Sequence, residues 1–208
     1  MAYLVLVRHG QSEWNLLNQF TGHVDIPLSP QGEKEAEKAA ELLKDITFHR
    51  AHTSDLIRAQ HTLNIILKKL GHENIPVKKH KAIKERDYGD LTRMNKDEAK
   101  KKFGEKQFLL YRRSWDVAPP NGESLKDTAA RTIPYYEKEI LKDLKKGHNV
   151  IVSAHGNSLR AIVKHLEDIA DEEIPKLEIG TGVVYVYEVD ENGKIASKEI
   201  RGENINHK

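Results

Sequence analysis

An α/β fold, with a mainly parallel central sheet, helices on both faces and one antiparallel strand, is predicted from three features of this sequence. Short aliphatic runs alternate with segments of helical periodicity, the pattern of βαβ units. Two of these runs, at residues 3–7 and 149–152, carry apolar residues without a polar alternate, as strands covered on both faces do. Two closing runs, at 183–189 and 195–200, flank Asn192-Gly193 and read as a hairpin, which makes the last strand the antiparallel candidate.

The elements follow in order. The first run, YLVLV, is ended by Arg8-His9-Gly10. Ser29-Pro30-Gln31-Gly32 opens a helix reaching about residue 45, with Pro30 in its first turn and Ala36, Ala39, Ala40 and Leu43 on one face. A short segment at 50–53 leads to Ser54-Asp55, N-cap chemistry for a helix that carries Leu56, Ala59, Leu63, Ile66, Leu67 and Leu70 and ends at Gly71. An extended stretch surrounds Val77, and charged helices occupy residues 96 to about 115. Pro119-Pro120-Asn121-Gly122 is a break, after which Glu123 or Ser124 starts a helix to about residue 145 that Pro134 should bend or divide. The run at 149–152 is ended by Ser153-Ala154-His155-Gly156, with Asn157 expected to cap the following helix.

Composition bounds the function. The 208 residues suit one globular domain, 1–208, with 38% hydrophobic and 32% charged residues. Lys and Arg number 34 against 32 Asp and Glu, so no global field favours nucleic acid or a membrane surface, and any anion site is local. The absence of cysteine excludes disulfides, thiolate catalysis and Cys-ligated zinc. The apolar run at 4–7 is too short for a signal-peptide core or a span, so a cytoplasmic protein is expected.

Three segments share one design, in which a strand ends, a basic residue follows and a helix begins: Val7-Arg8-His9-Gly10, Thr53-Ser54 leading to Arg58, and Ala154-His155-Gly156-Asn157. In a parallel sheet these groups converge beyond the carboxyl ends of the strands. Arg8, Arg58, two histidines and helix-start N–H groups would there form a pocket for a tetrahedral anion, phosphate above all.

The stretches LVRHGQSEWN, TSDLIRAQHT and AHGNSLRA resemble the histidine phosphatase superfamily, over residues 4 to about 189. Within it, FTGHVDIPLSPQG, ERDYGDLTRMNKDEAKKKFG and YRRSWDVAPP resemble the cofactor-dependent phosphoglycerate mutases. The resemblance implies a mutase interconverting 3- and 2-phosphoglycerate, with 2,3-bisphosphoglycerate as the phosphoryl donor and no metal. It implies a small-molecule partner rather than nucleic acid or membrane, and leaves a homo-oligomer open. His9 would be the nucleophile, neutral, with its second ring nitrogen donating to a local acceptor that a turn at Gly10 makes available. Arg8, Arg58 and His155, the last as imidazolium, would neutralise the phosphoryl oxygens. Glu85 would exchange a proton with the substrate hydroxyl. Tyr88, Lys96, Arg112 and Arg113 would hold the carboxylate and second phosphate of a ligand carrying about five negative charges. Ser12, Asn15, Thr21, Gly22, Gly156 and Asn157 would be further contacts.

Departures from the mutase pattern are the missing insertion between Pro120 and Asn121, Arg93 where glycine is expected, Gln11 where glutamate is commoner, and a short C-terminal tail. The rival readings are a phosphatase of the same superfamily and a non-catalytic phosphate-ligand binding domain. A weaker one is a metal site using His49 and His52.

Overall fold

The computed structural model describes residues 1–205; residues 206–208, the end of the expected single domain, lie outside the described residues. The strands are β1 (Ala2–Arg8), β2 (Arg50–Thr53), β3 (Val77–Lys79), β4 (Val150–Ala154), β5 (Thr181–Val189) and β6 (Ile195–Ile205). They form one sheet in the order β3-β2-β4-β1-β5-β6. β1, β2, β3 and β4 run parallel, and β5 is antiparallel to both of its neighbours. The single reversed strand is therefore the penultimate one. The last strand, β6, turns back into the common direction because the hairpin reverses the chain a second time.

Eight α-helices accompany the sheet among the described residues: α1 (Glu13–Leu16), α2 (Pro30–Glu41), α3 (Ile57–Leu70), α4 (Lys96–Phe103), α5 (Glu105–Arg113), α6 (Leu125–Tyr135), α7 (Leu141–Lys145) and α8 (Gly156–Glu167). In β1 the pleat sends Val5 and Val7 to one face, where they meet Ala40, Leu43, Leu63 and Ile66 of the α2–α3 side. Leu4 and Leu6 face the other way, onto Tyr136, Ile140, Leu159 and Ile162. Both sides are dry, which is why neither strand run alternates with polar residues.

Local chemistry sets the boundaries. Ser29 caps α2, its Oγ accepting from Gly32 N–H, with Pro30 at the first helical position. Gly71 ends α3 at φ 71°, a left-handed conformation that costs a residue without Cβ little. Ser124 and Asp127 form a reciprocal capping box at the start of α6. Pro134 divides its helix as expected: it has no N–H to give the preceding turn, and the chain passes into a π-turn at Tyr136–Ile140 before α7.

Two cap expectations are corrected. α3 begins at Ile57 with Leu56 as N-cap: Asp25 Oδ1 accepts from Ile57 N–H, while Ser54 Oγ accepts from Leu56 N–H and also meets His155 Nε2. α8 begins at Gly156 with His155 as N-cap, so Asn157 lies inside the first turn.

α4 and α5 stand apart from the sheet on a small core of their own, made by Phe20, Leu91, Ala99 and Phe108. This core ties the segment bearing Lys96, Arg112 and Arg113 to the loop that follows α1, and it is what holds those cations above the sheet edge.

Candidate active site

The chain leaves β1 toward the α2 side of the sheet and leaves β4 toward the α8 side. A crevice therefore opens between the carboxyl ends of these two adjacent strands. Their register pairs Arg8 with Ala154, and His9 N–H donates to Ala154 O at 3.0 Å. The residues that follow, His9 and His155, are thereby brought edge to face with ring centroids 5.0 Å apart.

His9 is buried and oriented on both sides. Its Nδ1 lies 2.6 Å from Gly10 O, a pure acceptor, so Nδ1 carries the proton. Nε2 then has a lone pair, and Arg58 Nε donates toward it at 3.3 Å. The expected acceptor beside Gly10 is thus its own carbonyl, while the reason for the glycine is different from the one expected. A Cβ at Gly10 would stand 2.2 Å from Gly32 O, so the glycine permits two backbones to cross rather than forming a turn.

Arg58 is almost fully buried. Its Nη1 and Nη2 donate to Val24 O and Gly22 O, both at 2.8 Å, which aims Nε at His9. Burial, opposed by Glu85 and Asp25, lowers its pKa to about 10, which leaves it charged at neutral pH. Arg8 donates through Nη1 to Ile179 O at 2.9 Å, and its Nε is buried without a partner. Thr21 Oγ1 is in the same condition on the same wall. Buried polar atoms left unpaired are costly, and two in one pocket fit an oxygen-rich anion.

His155 is fully buried, and its Nε2 is 2.7 Å from Ser54 Oγ. Burial first, then the charges of Arg58, His9 and Arg8, push its pKa well below 6.5. The protein's own groups therefore favour the neutral ring, and the expected imidazolium needs the negative charge of a bound phosphoryl group beside it. Desolvation and neighbouring cations act together against a second positive charge.

Glu85 is 8% exposed. Its Oε1 accepts from the N–H groups of Arg86 and Asn157 at 2.7 and 3.2 Å. Oε2 lies toward Gly156, where a side chain would come within 3.7 Å of it. The Asn157 side chain is held in turn, donating to Tyr88 OH and accepting from Arg86 and Arg160.

One pocket contains Arg8, His9, Asn15, Thr21, Gly22, Arg58, Glu85, Tyr88, Lys96, Arg112, Arg113, Gly156 and Asn157, with about 740 Å³ of empty space including its open mouth. Two expected residues do not line it: His155 is fully buried, its ring edge to face with His9. Ser12 is the other. It is fully buried off the pocket wall, where its hydroxyl accepts from Asn15 N–H and caps α1, so it acts by fixing Asn15.

Five wall residues escaped sequence reasoning: Gln19, Phe20, Arg160, Glu178 and Ile179. Arg160 follows Asn157 by three positions, so helical spacing could have placed it on the same face. Its guanidinium, pushed down to about 9 by burial and by Arg86 and Arg113, donates to Leu177 O, Ile174 O and Arg113 O. Glu178 sits in an irregular segment and carried no local signal. Among the described residues no group of three or more His, Asp or Glu could hold a metal. His52, from the weaker metal reading, bonds Tyr135 OH and Asp143 instead.

The profile of the histidine phosphatase superfamily (branch 1) matches residues 4–199. A 2,3-bisphosphoglycerate-dependent phosphoglycerate mutase of Afipia carboxidovorans is 54% identical over 197 residues, covering 94% of this chain and 95% of its own. One of Parvibaculum lavamentivorans is 50% identical over 199 residues, covering 95% of each. Among solved structures, a mycobacterial glucosyl-3-phosphoglycerate phosphatase superposes with a TM-score of 0.83 at 24% identity, covering 99% of this chain and 100% of its own. That likeness speaks to the fold.

Proposed function

The chain belongs to the histidine phosphatase superfamily, and on that premise we propose that it is a phosphoglycerate mutase, an isomerase of glycolysis and gluconeogenesis, dependent on 2,3-bisphosphoglycerate. The observation that carries this reading is the second cationic cluster. Lys96, Arg112 and Arg113 share one pocket with His9, Arg8 and Arg58, so two anionic groups of one small molecule are met at once. A phosphatase acting on a simple monoester needs only the first cluster. The relatives at 50–54% identity, named as mutases, support the same choice.

The residues fit the bisphosphate: Arg8, Arg58 and the two orphaned polar atoms would take one phosphate, and Lys96, Arg112 and Arg113 the other with the carboxylate. When bound, it supplies the phosphoryl group that primes His9. The chain's own work begins with His9, whose Nε2 lone pair attacks phosphorus while Nδ1–H stays on Gly10 O; the P–O ester bond breaks, its electron pair leaves with the ester oxygen, and the carboxylic acid form of Glu85 gives that oxygen a proton. Arg8 and Arg58 spread the charge of the transferring group, and the Ser54 contact fixes the His155 ring beside it. In transfer to substrate the P–N bond breaks, its electron pair returns to Nε2, and the substrate hydroxyl forms the P–O bond. The released proton goes to Glu85 Oε2, the oxygen its backbone donors leave open. The reverse step returns it.

This reading assigns charge neutralisation to arginines rather than to a divalent ion, treats residues 1–208 as one domain, and places the protein in the cytoplasm. No helix among the described residues is long and apolar enough to cross a membrane. The test is turnover of 3-phosphoglycerate with and without the bisphosphate, together with trapping of acid-labile phosphate. Bisphosphate-stimulated isomerisation and label on the wild-type protein but not on His9→Ala are expected. Hydrolysis without isomerisation, independent of the bisphosphate, would establish the phosphatase instead.

A further inference from the structure

The pocket wall holds two carboxylates among six cationic side chains, and the proposed mechanism uses only one of them. The other, Glu178, pairs through Oε1 with Arg113 Nη2 at 2.8 Å. An acidic residue in a pocket built for polyanions opposes its own ligand, so its presence requires a reason.

The backbone on either side of Glu178 is pinned. Leu177 O accepts from Arg160 Nε at 3.0 Å, and Ile179 O accepts from Arg8 Nη1 at 2.9 Å. These two bonds hold the main chain beside Glu178, so the pair with Arg113 opens by rotation of the side chains. That side chain is 40% exposed, while Arg113 is 24% exposed, so the carboxylate has a solvated position to move to. Burial works against ionisation of Glu178, but the hydrogen bond and charge of Arg113, followed by Arg8 and Arg112, hold its carboxyl below the ordinary range. The group is thus anionic wherever the enzyme works, and it faces the same cations as the ligand.

Resting on the mutase reading above, we propose that Glu178 is a specificity-determining residue: a built-in carboxylate that competes with the ligand for Arg113 and disfavours binding in proportion to ligand charge. A bisphosphorylated three-carbon acid carries about five negative charges and its monophosphate about three, so the penalty falls harder on the bisphosphate. The result is a pocket that takes up the bisphosphate for priming without being saturated by it while the monophosphates turn over.

The test is calorimetric binding of 2,3-bisphosphoglycerate and of 3-phosphoglycerate to the wild-type protein, Glu178→Gln and Glu178→Asp. Glu173→Gln, which alters only an exposed pair with Lys176, is the control. The Gln variant keeps an oxygen that accepts from Arg113, so the local fold is preserved while the charge is lost. Because the effect scales with ligand charge, Glu178→Gln should tighten the bisphosphate about tenfold and the monophosphate about fourfold. Glu178→Asp should stay near wild type, as should the control, and the difference should shrink with added salt. Unchanged or weakened bisphosphate affinity in Glu178→Gln, with isomerisation intact, would overturn the proposal alone. Absence of bisphosphate binding and of isomerisation in the wild-type protein would sink the mutase reading and this proposal with it.

Discussion

Raising the pH from 7 to 9 should weaken anion binding chiefly through Lys96, whose pKa, about 8, lies below the value of about 9 for Arg160 on the same wall. The Lys96 ammonium group lies on the first turn of α4, in the pocket with Arg112, Arg8 and Arg113. Burial first, then those three charges, lower its pKa from 10.5 to about 8, with Glu85 pulling the other way. A group with that value is about nine-tenths charged at pH 7 and about one-tenth at pH 9. If the ligand binds only beside the ammonium form, its affinity drops about tenfold across the window, or about 1.4 kcal/mol. The ligand's own charge does not change there, because the second phosphate ionisation, near 6, is already complete. The sign follows from linkage: the attraction is whole below the folded-state value and is lost as pH rises through it. A bound anion favours the ammonium form, so binding above pH 8 must take up a proton. Calorimetry of bisphosphate binding at pH 7 and 9, in two buffers of different ionisation enthalpy, reads both affinity and proton uptake. Lys96→Arg, whose guanidinium stays charged throughout, should show a flatter profile and little uptake. A wild-type affinity that is level from pH 7 to 9, or a slope as steep in Lys96→Arg, would refute the reasoning.

Two predictions concern stability. Gly10→Ala places a methyl group 2.2 Å from Gly32 O, a backbone atom that cannot rotate away. The cost should be about 3 kcal/mol, or a fall in Tm of roughly 6–12 °C, and a Tm within about 2 °C of wild type would show that the crossing is not tight. Acid should destabilise the fold through His155 and His52. Burial lowers the pKa of both in the folded protein, so below about 6.5 the unfolded chain binds the protons that the folded one refuses. Their share of stability is fully present above that value and declines as pH falls toward the folded-state values. Tm measured at pH 7 and 5.5 should drop, and His52→Gln should drop less; a Tm independent of pH in this range would argue against neutral buried rings.

Much of the fold was legible because its signals are local. The unbroken aliphatic runs of β1 and β4, Pro30 behind Ser29, Gly71 after Leu70 and the Asn192-Gly193 turn each act within a few residues. The boundary of α3 was misplaced because a distant group intervened. Asp25, thirty-two positions away, caps α3 at Ile57 N–H, and Ser54 Oγ meets His155. No local rule reports such a donor, because its position depends on how the intervening chain packs.

The site divides along the same line. Sequence alone determined which chemical groups are available: a histidine at each of two strand ends, the arginines Arg8 and Arg58, and the later cluster from Glu85 to Arg113. Identity and strand-end position are properties of the chain itself. Tertiary structure alone decided what those groups do to one another. It selected the Nδ1–H form of His9 through Gly10 O, lowered the pKa of His155 by burying it among cations, moved Ser12 off the wall, and set Glu178 against Arg113. Protonation, pairing and competition for charge depend on distance and dielectric, and both come into being only when segments remote in sequence are packed together.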